Sequence, residues 1–183
     1  MASADEIVQI AIDYSDQEIT EIQENQGWTD PNYQADMQAI GWVPGDEWCA
    51  AAAVLTWKKG YADNPDVWAH AWQLVSLNCQ DMGRNFHADP VWPTSVDMPK
   101  PGAIAIFRLG DSTKEGHCGI VTAINGNNFT TVEGNTSSPE RPSEHDGWTV
   151  AAHDHTVGDQ NPPGNLFLVR FIYAIESYDP LEY

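Results

Sequence analysis

The chain has 183 residues, 42% of them hydrophobic and eight of them tryptophan, enough to bury a core without disulfide or metal staples, so an intrinsically disordered polymer is excluded. It carries 27 acidic against 8 basic side chains, a formal charge of −19. Such a surface repels phosphate backbones and anionic headgroups, so nucleic acid and membrane are not expected partners, and no apolar run approaches the roughly 20 residues of a bilayer span.

The opening segment, about Ala4 to Glu24, places Ile7, Ile10, Ala11, Tyr14, Ile19 and Ile22 near helical spacing and predicts an acidic, amphipathic helix. It has no basic n-region and no continuous apolar core, so a cleavable secretion signal is not expected. Gly27 and Asp30-Pro31 interrupt the pattern, and a polar stretch runs to Gly45. A second helix is expected from Cys49 to about Lys59, capped by Asp46, its alanines allowing close approach to a sheet. Pro65 and the run Val67–Val75 predict a third helix, followed by an irregular proline-rich segment from Asp89 to Pro101. Beyond it, Ala103–Phe107, His117–Ile124, Asn128–Glu133, Trp148–Ala152 and Leu166–Tyr173 read as strands separated by turn residues. Helices first and strands afterwards indicate an α+β fold, and the absence of repeats or linkers predicts one domain over residues 1–183.

Three cysteines, Cys49, Cys79 and Cys118, show no CxxC spacing, so free thiols are expected rather than a zinc knuckle or redox pair. Cys49 falls at a predicted helix start, where unpaired N–H groups and the helix dipole favour thiolate and offer an oxyanion site. Asp46 and Glu47 oppose this unless they face solvent or cap the helix. A small buried cysteine in an alanine-rich helix is the bland alternative. His117 is flanked by Gly116 and, beyond Cys118, by Gly119, leaving room for a ring and a substrate. Strand alternation puts His117 and Gly119 on one face and Cys118 on the other, in the core. On the next strand Glu133 and Asn135 share a face by the same alternation. In a hairpin, Glu133 would accept the imidazole N–H and Asn135 would add a hydrogen bond.

The order Gly45-Asp46-Glu47-Trp48-Cys49-Ala50-Ala51-Ala52, Lys100-Pro101-Gly102-Ala103-Ile104, Gly116-His117-Cys118-Gly119-Ile120-Val121 and Val132-Glu133-Gly134-Asn135-Thr136-Ser137 resembles the CHAP (cysteine, histidine-dependent amidohydrolase/peptidase) family of cell-wall enzymes. The resemblance covers about residues 41–136. It implies a papain-like fold, with N-terminal helices packed on a C-terminal antiparallel β-sheet. It implies Cys49 as nucleophile, His117 as general base and then acid, Glu133 as the orienting third member and Asn135 at the family's fourth polar position. Related cell-wall peptidases carry a second histidine where this chain has Glu133, which favours the CHAP branch. Ala103 stands where an aspartate is usual, and Cys118 where an apolar residue is usual. Some phage members bind calcium through aspartates just before the cysteine. Here only Asp46 and Glu47 are present, so no required metal and no cofactor are expected.

The function so implied is cleavage of a peptidoglycan amide, either the N-acetylmuramoyl–L-alanine bond or a stem or cross-bridge peptide bond, by a phage endolysin-like protein. Such a protein is made in a host cytoplasm without a signal peptide and reaches the wall through another factor. A toxin-type amidase effector with an immunity protein, or a catalytically idle wall-binding or virion module, are the other readings. Trp48, next to the nucleophile, is a candidate for lining a sugar groove, although most tryptophans are expected in the core. His153-Asp154-His155 is read as a solvated loop or strand end, because two histidines at i and i+2 without a third ligand make a weak metal pair.

Overall fold

A computed structural model describes residues 4–138 and 147–177. Five helices precede or flank a six-stranded sheet: α1 Ala4–Asp16, α2 Pro31–Ala39, α3 Cys49–Gly60, α4 Pro65–Leu74 and α5 Cys79–Ala88. The strands are β1 Thr94–Ser95, β2 Ile104–Leu109, β3 Gly116–Asn125, β4 Asn128–Thr136, β5 Thr149–Thr156 and β6 Leu166–Ile172. They pair antiparallel throughout in the order β1-β6-β2-β3-β4-β5. The fold is α+β and papain-like, as the sequence led us to expect.

Several boundaries differ from the sequence reading, each for a local reason. α1 ends at Asp16 rather than continuing to Glu24, because Glu18 takes a left-handed conformation. Thr20 and Glu21 then form bridges to Thr149 and Trp28. Asp30-Pro31, read as an interruption, is a helix start. The Asp30 carboxylate accepts from the amides of Asn32 and Tyr33 at 2.7 and 3.0 Å, and Pro31 takes the first helical position, where no amide is needed. α5 was not expected; Asn78 caps it by accepting from the amides of Gln80 and Asp81. Asp46 does not cap α3. The N-cap is Trp48, without a side-chain bond, while Asp46 and Glu47 face solvent.

The sheet has two apolar faces. Ile104, Ile106, Cys118, Ile120, Val132 and Ile172 face the helices, and Ala103, Ala105, Phe107, Val121, Phe129 and Phe171 form a second cluster on the opposite side. α3 is buried along nearly its whole length, and its alanines admit the sheet closely. A Cβ placed on Gly134 of β4 would lie 2.5 Å from Ala52 Cβ and 2.6 Å from the Trp48 ring, so only glycine fits that crossing. The tryptophans mostly serve this core: Trp28, Trp42, Trp48, Trp57 and Trp92 are buried. Trp28 and Trp48 meet edge to face at 5.0 Å, and the indole N–H groups of Trp57 and Trp92 donate to the carbonyls of Gly102 and Tyr173.

Candidate active site

Cys49 occupies the first position of α3, and Cys79 the first position of α5. The amides at a helix start have no intrahelical partner, so both sulfurs sit beside partial positive charge. His117 lies near the start of β3, opposite Phe107 of β2, and Glu133 near the end of β4. The pairing of β3 with β4 brings these two side chains together. His117 Nε2 lies 2.8 Å from Glu133 Oε2. The charge of His117 also helps to lower the Cys49 thiol's pKa, and Cys49 in turn helps to raise that of His117. With Nε2 held by the carboxylate, Nδ1 is the nitrogen left for the thiol. The three groups are thus coupled by charge, with His117 and Glu133 in direct contact and 12% of the His117 side chain exposed.

Glu133 has more partners than expected. His155 Nε2 lies 2.7 Å from Oε1, and Thr131 Oγ1 donates to the same oxygen at 2.5 Å. The carboxylate is buried, which by itself raises its pKa, but His117 and His155 outweigh burial and hold it well below the usual carboxylate range. His117 shows the mirror effect: burial lowers its pKa, while Glu133 and Cys49 together raise it well above the usual imidazole value. Cys49 is drawn well below the usual thiol range, first by hydrogen bonds with the Cys118 and Cys79 thiols, against the cost of burial and with help from His117. The arrangement favours a thiolate facing an imidazolium.

The glycines around His117 make room, but for protein atoms. A Cβ on Gly119 would lie 2.6 Å from Glu133 Cγ, and one on Gly116 would lie 2.2 Å from the Phe107 carbonyl oxygen. Gln80 Nε2 donates to that same carbonyl at 2.7 Å, tying α5 to β2 at the point where β2 and β6 slip register. Asn135 departs from strand alternation. Its φ is 54°, β4 and β5 shift register between Glu133 and Thr136, and its Oδ1 is buried without a hydrogen-bond partner. Trp48 is fully buried, so the ring lines no groove and belongs to the aromatic core.

Sequence reasoning missed His155 and Cys79. β5 runs four residues beyond Ala152, so of the loop and the strand end expected for His153 and His155 the structure has the strand end. A signal was present: continuing the period of two from Thr149 through Ala151 and His153 reaches His155 on the face of Glu133, since Glu133 pairs with Ala151 and Phe129 with His155. The ring of His155 also packs on Phe107 and Phe129, at 4.5 and 5.3 Å between centroids. For Cys79 the signal was Asn78, a capping residue that sets the next side chain at a helix tip.

The CHAP domain matches residues 32–135, more than half of the chain and the span that carries all of Cys49, His117, Glu133 and Asn135. The chain belongs to the CHAP family. The fold is also similar to two solved structures of one protein, the crystal structure of Ly7917 and that of Ly7917 with the hydrolyzing product of MDP. Identities are 14% and 15% and TM-scores 0.52 and 0.50, over 93% of this chain in both cases. The chain spans 61% and 62% of those two chains, so it corresponds to about three-fifths of Ly7917. No curated protein matches the sequence significantly. Within the matched span, α3 carries the cysteine, and β3 and β4 carry the paired histidine and glutamate.

Proposed function

We propose that this chain hydrolyses an amide bond of bacterial peptidoglycan through a Cys49 thiolate. The observation that carries the proposal is the His117–Glu133 pair at 2.8 Å, whose imidazole charge acts on the Cys49 thiol at the tip of α3, within a CHAP fold. The Cys49 thiolate attacks the amide carbonyl, and the amide N–H of Cys49, at the tip of α3, donates to the oxyanion. The His117 imidazolium protonates the leaving amine. The neutral imidazole then takes a proton from water, which attacks the thioester and frees the sulfur. Glu133 fixes the ring's tautomer and stabilises its charged form, with His155 and Thr131 holding the carboxylate in place. Asn135 has a supporting place at the strand end.

The bond we assign is the N-acetylmuramoyl–L-alanine amide or a stem or cross-bridge peptide bond. The fold likeness to Ly7917, solved with the hydrolyzing product of MDP, supports a substrate of this kind. On the sequence resemblance described above, we read the role as that of a phage lysin. We take residues 1–183 as one catalytic unit, a reading supported by α1 packing Ile7 beneath Gly60 of α3 and by the bridge from Thr20 to Thr149.

The test is mass spectrometry of purified peptidoglycan after digestion with the wild type and with Cys49→Ala. New amine or carboxyl ends in the first digest and none in the second support the proposal and identify the bond. Equal release by Cys49→Ala would overturn the thiol mechanism, and no release by the wild type would overturn the substrate.

A further inference from the structure

The proposed mechanism uses one of three cysteines that the fold collects in one place. Cys49 Sγ lies 3.4 Å from Cys79 Sγ, which lies 3.3 Å from Cys118 Sγ, and all three sulfurs fall within 4.8 Å of one another. All three are buried, and none forms a disulfide. They come from three separate elements, the first residues of α3 and α5 and the third residue of β3. Two helix N-termini therefore aim partial positive charge at the cluster, where it can balance bound thiolates.

We propose that Cys49, Cys79 and Cys118 form a three-thiolate site for a thiophilic d10 cation of the Zn2+ type, which on binding withdraws Cys49 from reaction. The dimensions fit. Four-coordinate zinc with Zn–S bonds of about 2.3 Å spaces its sulfurs by about 3.8 Å, so the 3.3 and 3.4 Å spacings to Cys79 need to widen by only about half an ångström. Thiolate is the ligand type that selects zinc and Cu(I) over magnesium and calcium, which the carboxylates of the surface would otherwise attract. Uptake displaces the remaining thiol protons to solvent, so binding releases protons and strengthens as pH rises. The site shares Cys49 with the proposed reaction, but its occupancy is measured without substrate, so it stands or falls separately from the hydrolase reading.

The experiment titrates the reduced, full chain with Cd2+ and with Zn2+. A stoichiometry of one, an ultraviolet sulfur-to-cadmium charge-transfer band and loss of Cys49 alkylation by iodoacetamide that a chelator restores are the expected results. Cys79→Ala and Cys118→Val, checked for folding by thermal melts, should each weaken binding by more than about tenfold, the scale on which even the outer partners of a metal matter. Should either variant fail to fold, X-ray absorption of the zinc-loaded wild type decides, with three sulfurs at about 2.3 Å expected. Weak, multiple binding without a charge-transfer band would assign the metal to surface carboxylates and overturn the proposal. So would fewer than three sulfurs around zinc, or unchanged affinity in folded variants.

Discussion

Thiolate, not thiol, is the attacking species, so the reactivity of Cys49 depends on which neighbours favour loss of its proton. Its hydrogen bonds with Cys118 and Cys79 come first, then the charge of His117, all working against burial. Alkylation of Cys49 by iodoacetamide should therefore rise with pH through a midpoint below the ordinary thiol value of about 8.5. In His117→Ala the midpoint should move upward, because the imidazolium that favours thiolate is gone. An unchanged midpoint would show that the imidazole does not act on the sulfur. For hydrolysis, Cys49→Ala and His117→Ala should each lose at least about a hundredfold in kcat/KM, and Glu133→Ala less, since it orients and does not react. His155→Ala should lose less again while leaving Cys49 alkylation measurable, because Glu133 retains His117 and Thr131. Peptidoglycan turnover by the purified variants measures all four.

At the scale of the element, the site depends on how closely helix and strand approach. Gly134 crosses α3 where a methyl group would meet Ala52 and the Trp48 ring. Gly134→Ala should cost about 1–3 kcal/mol of stability, the usual scale for an overpacked core, read by urea unfolding. The start of α5 is the second sensitive place. Asn78 satisfies two amides there and donates to the Lys114 carbonyl at 3.1 Å, linking α5 to the segment before β3. Asn78→Ala should remove about 1 kcal/mol, and a full wild-type melting curve in that variant would show the cap to be idle. β-strand extension explains the missed histidine: β5 continues through two imidazoles because each has a partner, His153 with Thr136 and His155 with Glu133.

Across the whole molecule, two electrostatic effects have opposite pH and salt signatures. Glu133 has a depressed pKa when folded, so its stabilising contribution is fully present above the unfolded carboxylate value of about 4.3 and is lost as pH falls below it. Stability of the wild type should drop with pH in that window, and in Glu133→Gln the same drop should be shallower. The net charge of −19 acts the other way, by self-repulsion that salt screens. Raising ionic strength from a low value should increase Tm, and a Tm insensitive to salt would mean the surface charges are already compensated.

How much of this was legible in the chain follows from the range of the forces involved. Helix caps, period-two alternation and glycine spacing are local, so the α+β order, Cys49 at a helix tip, His117 on a strand and Glu133 on its neighbour could be read along the sequence. The meeting of Cys49, Cys79 and Cys118 could not. The sulfurs are separated by 30 and 39 residues, on elements whose own patterns say nothing of each other. Only the packing of α3 and α5 against β3 brings those three thiols within contact, because burial of the helices' apolar sides, not any local preference, sets where their tips converge.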